Sequence, residues 1–136
     1  GYRFRRNRAL GHIALAEGRY DEAVAAFRAS TAGEQAPWDL AGLARAFDGA
    51  GRADSARVYY DAYIEEPQFL RMESDQFYLA GFLERSAELE YQAGEPGNAV
   101  QRYAEFVERW SGADLDLQPR VTRAQERLEA ILAEIG

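Results

Sequence analysis

At 136 residues, 47% of them hydrophobic and 29% charged, the chain is long enough to bury the core of one domain. It has no cysteine, which excludes disulfides, thiolate-bound zinc and a cysteine nucleophile. A net charge of −7 disfavours nucleic acid or an anionic membrane as the main partner, and no apolar run approaches the roughly 18–20 residues of a bilayer span, so no direct membrane insertion is expected.

The first predicted helix covers about residues 3–17, with Ala9, Leu10, Ile13 and Ala14 at helical spacing. It opens with Arg3, Arg5, Arg6 and Arg8, a basic end on an otherwise acidic chain. These arginines are either a solvated helix face or a handle that steers a partner or a second copy. Gly18 interrupts the pattern, which restarts as a helix over 21–32 with Ala23, Val24 and Phe27. Further helices are predicted over 37–50, 53–65, 74–93 and 97–110; Pro37 suits a first turn and Pro67 ends the fourth helix. The residues around "EEPQFLRMESD" form either a loop or a lengthened start to the fifth helix. A seventh helix, 116–135, carries Val121, Ala124, Leu128, Ile131 and Ile135 on one stripe. Arg120, Arg123, Glu126, Arg127, Glu129 and Glu134 occupy its other face, as expected of an amphipathic cap.

Three of the breaks share a register. Aligning Gly18, Gly51 and Gly94 puts Ala23, Ala56 and Ala99 five residues later, and Phe27, Tyr60 and Tyr103 nine residues later. Gly11, Ala44 and Ala87 stand seven residues before. A glycine closing the first helix in the left-handed conformation explains the break. Asp21, Asp54 or Asn98 is then expected to satisfy the free N–H groups of the next helix. The small residues let antiparallel helices approach, and the aromatics fill the space between pairs.

Glycine-closed helical hairpins with a period near ~34 residues resemble the tetratricopeptide repeat family. The resemblance rests on Leu10-Gly11, Gly18-Arg19-Tyr20-Asp21-Glu22-Ala23 and Phe27; on Leu43-Ala44, Phe47, Gly51, Ala56, Tyr60 and Pro67; and on Ala87, Gly94, Ala99, Tyr103 and Phe106. It implies an all-α, right-handed superhelix of three hairpins (about 4–36, 37–70 and 74–110) in a single domain, plus the capping helix. The tail "YAEFVERWSGADLDLQPRVTRAQERL" is similar to tails of large bacterial signalling proteins that look like serine/threonine kinases or transcription regulators. The exclusive use of Arg over Lys also suits a bacterial source. The chain begins at Gly1 without a leader pattern, as expected of a piece of a longer protein. A soluble, by preference cytoplasmic setting is expected, with an extracytoplasmic one open.

In that family the first helix of each pair lines a concave groove that takes a peptide. Carried over residue by residue, the lining is Arg5, Arg8, His12, Trp38, Arg45, Asp48, Glu84, Arg85, Glu88 and Tyr91. Arg8, Arg45 and Arg85 are placed to grip carboxylates, while Trp38 and Tyr91 offer flat anchors. A family subset that binds a chaperone's terminal carboxylate uses a basic and Asn cluster; His12, Gly42 and Gly81 stand where it needs other residues, so that activity is not expected.

No catalytic constellation is legible. His12 is the single histidine and has no nucleophile-elbow serine to serve, and Glu84 with Glu88 reads as a helix face paired to Arg85. No cofactor or metal is expected. The expected activity is therefore non-enzymatic binding of a protein or peptide. The alternative is self-association as a homodimer, through an exposed patch of Tyr59, Phe69 and Tyr78.

Overall fold

Each interruption in the helical pattern is a hairpin turn sealed by main chain. Gly18, Gly51 and Gly94 have φ of 75°, 76° and 83°, a region open to glycine and strained for other residues. The glycine N–H bonds back to the carbonyl of Leu15, Asp48 or Tyr91 at 3.0–3.1 Å. The next N–H, of Arg19, Arg52 or Glu95, reaches the carbonyl of Ala14, Phe47 or Glu90 at 2.8–2.9 Å. This pair of bonds is the Schellman closure, and it satisfies carbonyls that a helix end leaves open. Contrary to expectation, no side chain caps the following helices: their caps are Arg19, Arg52 and Glu95, so Asp21, Asp54 and Asn98 lie inside the first turn.

The computed structural model describes residues 2–30 and 36–136, and among these the chain is all-helical. The helices are α1 Tyr2–Ala16, α2 Tyr20–Ala29, α3 Pro37–Gly49, α4 Ala53–Glu65, α5 Gln68–Arg71, α6 Asp75–Gln92, α7 Pro96–Trp110 and α8 Gln118–Ile135. A 3-10 turn, Leu115–Leu117, precedes α8. None of the described helices is long and apolar enough to cross a membrane. The end expected for the second helix, residue 32, lies outside the described residues. The chain divides into two compact units, Gly1–Gln76 and Phe77–Gly136.

In the first unit α1 packs on α2, α2 on α3, and α3 on α4, with α1 also touching α3. Asn7 of α1 bonds the carbonyl of Ala29 near the end of α2, so these helices run antiparallel. The wedge between them is Phe27, fully buried against bare backbone: a Cβ at Gly42 would lie 2.4 Å from its ring, and one at Gly11 2.9 Å. Tyr20 meets Gly49 in the same way. Burying a phenyl ring of this kind stabilises by roughly 2–3 kcal/mol. The aligned positions Ala23, Ala44 and Ala56 are also fully buried.

The segment expected to be a loop or a longer α6 is instead a separate short helix, α5, held by a buried network. Arg71 is 4% exposed, lies 5.7 Å over the Tyr63 ring, donates to the Ile64 carbonyl at 3.1 Å and pairs with Asp75. The Tyr63 hydroxyl lies 2.8 Å from both Ser74 and Asp75, and burial pushes its phenol upward.

In the second unit the core comprises Leu83, Ala87, Ala99, Tyr103 and Phe106 with Val121, Ala124 and Ile131 of α8. Phe106 stacks on Trp110 at 5.2 Å. The stripe expected for α8 is shorter than its sequence period: Leu128 is half-buried and Ile135 is 52% exposed.

Candidate functional site

The two units present the residues expected to line a groove in different ways. In the first unit, α1 supplies Arg5, Arg8 and His12 and α3 supplies Trp38, Arg45 and Asp48. The pairing of α1 with α3 is fixed by Arg8, whose Nε and Nη2 donate to the two carboxylate oxygens of Asp39 at 3.0 and 2.9 Å. Asp39 is 1% exposed and also lies within hydrogen-bond distance of the Ser30 hydroxyl. Its hydrogen bonds to Asp39 hold the Arg8 guanidinium above its ordinary value. The fork of Arg8 is therefore engaged inside the unit rather than held out for a ligand.

His12 sits one turn further along α1, edge-on to Phe27 at 5.0 Å and half-buried. Burial lowers its pKa, and the nearby positive charges of Arg45 and Arg8 lower it further. His12 is thus a neutral imidazole beside two guanidinium groups, able to accept or donate one hydrogen bond. Arg45 and Arg5 are exposed and Trp38 is half-buried. Asp48 accepts from the Tyr60 hydroxyl at 2.8 Å, which ties the α3–α4 pair together. The exposed and half-buried groups of these two helices thus include two guanidinium groups, one indole, one imidazole and the Asp48 carboxylate.

In the second unit Glu84, Arg85, Glu88 and Tyr91 all belong to α6, and three of them are engaged by α8. Glu84 pairs with Arg120. Glu88 accepts from Arg127 Nε and Nη2 at 2.9 and 3.2 Å, and from the Tyr103 hydroxyl. The Arg127 hydrogen bonds hold the Glu88 carboxyl below the usual range, with Tyr103 acting in the same direction. Tyr103 is pushed up, first by burial and then by its bond to Glu88. The Arg127 guanidinium also lies 4.5 Å over the Tyr91 ring, whose hydroxyl donates to Glu134. Arg120 and Arg127, expected on the outer face of the last helix, are instead half-buried and reach back to α6, while Glu134 is exposed as expected; Glu84 and Glu88 are engaged by α8, with the charge of Arg85 also acting on Glu88. The helices of this unit pack through ion pairs where a hydrophobic stripe alone was expected. Arg85 is exposed.

Sequence reasoning missed Asp39, Arg120 and Arg127. Asp39 was visible only as an acid in the first turn after Pro37, a position that also suits the helix dipole without any partner. The aromatic patch is corrected as well. Tyr59 stacks on Phe47 at 5.4 Å and Tyr78 on Phe82 at 5.2 Å, and both are half-buried. Phe69 is 73% exposed as expected, and Leu70 and Met72 share its exposure. Among the described residues no group of three or more His, Asp or Glu side chains converges as metal ligands do.

Compared with known proteins, the sequence matches no family model and no curated protein.

Proposed function

We propose that this chain is a non-catalytic, tetratricopeptide-like protein-interaction module, and that the α1/α3 side of its first unit recognises an acidic peptide segment. The observation that carries the reading is the set of groups on α1 and α3: Arg5 and Arg45 are exposed, Trp38 is half-buried, and the charges of Arg45 and Arg8 act on His12 beside the Arg8–Asp39 pair. Exposed guanidinium groups grip carboxylates in a planar fork, and an indole supplies a flat apolar anchor at low entropic cost. The internal engagement of Glu84, Glu88 and Tyr91 argues for the first unit over the second as the binding side. The family resemblance of the repeats and of the tail supports a setting as the interaction end of a larger bacterial signalling protein.

A random peptide library selected on the immobilised full chain tests this. Peptides with a carboxylate next to an apolar residue are expected to be enriched, and to lose at least tenfold in affinity on an Arg5→Ala/Arg45→Ala variant. Equal selection by the variant would remove the reading.

A further inference from the structure

One edge of the first unit carries two sets of charges of opposite sign. α1, α3 and the α2–α4 returns are antiparallel, so the start of α1, the start of α3 and the end of α4 share the edge opposite to Gly18 and Gly51. At the start of α1 stand Arg3, Arg5 and Arg6, all exposed and without an ion pair to any described residue. At the end of α4 and beyond it stand Glu65, Glu66 and Glu73, likewise without an ion pair to any described residue. A helix C-terminus disfavours anions. No base balances the last turn of α4.

Between the acids lies α5, whose Phe69, Leu70 and Met72 are 73%, 52% and 72% exposed. This exposure is built in: the neighbouring Arg71 is buried on Tyr63 and bonded to Ile64 and Asp75, so the helix is pinned with its apolar side outward. Exposed apolar groups rimmed by acids mark an interaction surface.

We propose that the partner is a second copy of this chain, related by a two-fold axis across this edge. The basic start of α1 in one copy then seats on the acid-rimmed α5 ledge of the other, and the contact occurs twice. The gradient along the edge, basic at α1 and acidic at α5, is self-complementary under that operation, which closes with the fewest copies. A four-residue helix is only about 6 Å long. One ledge alone therefore falls short of the roughly 800 Å² per partner that a stable interface buries, and the doubled contact supplies more. The proposal uses a different edge from the peptide-recognition surface, save for Arg5, and stands independently of it.

Sedimentation of the full chain at low and high ionic strength tests the pairing. Wild type is expected to be dimeric at low salt and to dissociate as salt screens the charges. Arg3→Glu/Arg6→Glu and Glu65→Arg/Glu66→Arg are each expected to sediment as monomers with unchanged circular dichroism. Their equimolar mixture is expected to recover the dimer, because both contacts again join opposite charges. Phe69→Ser/Met72→Ser is expected to be monomeric at every salt concentration. A monomeric wild type at low salt overturns the proposal, even if the ledge captures a basic peptide. So does a dimer that survives both reversals, or a mixture that stays monomeric while each variant is folded.

Discussion

Arg8 and Asp39 form a pair of unequal burial, and this asymmetry makes a quantitative prediction. The Arg8 side chain is 31% exposed and the Asp39 side chain 1%. Removing Arg8 leaves a buried carboxylate with Ser30 as its remaining bonded neighbour, whereas removing the carboxylate leaves an arginine that still reaches water. Breaking a buried pair by deleting one partner costs about 3–5 kcal/mol. With the partner partly solvated, Arg8→Met is expected at the low end, about 3 kcal/mol. Asp39→Asn keeps the shape and loses charge-assisted bonding, for about 1–2 kcal/mol. The double variant Arg8→Met/Asp39→Leu is expected to lose less than the sum, by about 1–2 kcal/mol. Urea unfolding in a Trp110→Phe background reads the first unit alone, since Trp38 is then the single tryptophan. An Asp39→Asn loss equal to or above that of Arg8→Met, or strict additivity, refutes the reasoning.

Other consequences are open to similar tests. Gly51→Ala forces an L-residue to φ near 76° and is expected to cost about 1 kcal/mol by urea unfolding, while Gly112→Ala, in open space and at ordinary φ, is expected to be neutral. Gly42→Ala drives a methyl into the Phe27 ring and is expected to cost about 1–3 kcal/mol in the same assay. His12 has a folded pKa below its unfolded one, so its contribution is complete above about pH 6.5 and is lost as pH falls through the lower folded value; His12→Gln is expected to flatten this slope in a melting-temperature profile. Glu88, also depressed, holds its contribution above about pH 4.3 and loses it as pH falls below, and Glu88→Gln is expected to remove that acid limb while leaving the histidine one.

Helix positions were legible because glycine, the small residues and the aromatics each answer to backbone or packing demands that act locally. The Gly18, Gly51 and Gly94 register names all three closures, and Phe27, Tyr60 and Tyr103 are buried where their period puts them. What escaped were side-chain partnerships across helices. Arg127 and Glu88 are 39 residues apart, and nothing in either neighbourhood distinguishes a solvated arginine from one folded over Tyr91. The same holds for Arg8, whose spacing on α1 suits a ligand clamp as well as it suits a strut to Asp39. The helix α5 was hidden because four residues carry too little periodicity to register, and its anchor is a charged residue in the core.

The three turns are closed by the same main-chain bonds, although the two residues after each glycine differ: Arg-Tyr, Arg-Ala and Glu-Pro. A seal made by backbone asks for one residue that tolerates the left-handed well and is indifferent to the rest. Within each unit, the glycine edge can therefore be rewritten letter by letter but not lengthened. The opposite edge absorbs changes of length, as the four-residue helix between α4 and α6 illustrates. A hairpin cut out along that second edge takes its own closure with it. In-frame duplication or loss of a whole hairpin is then expected to leave the main-chain bonds of every remaining turn intact.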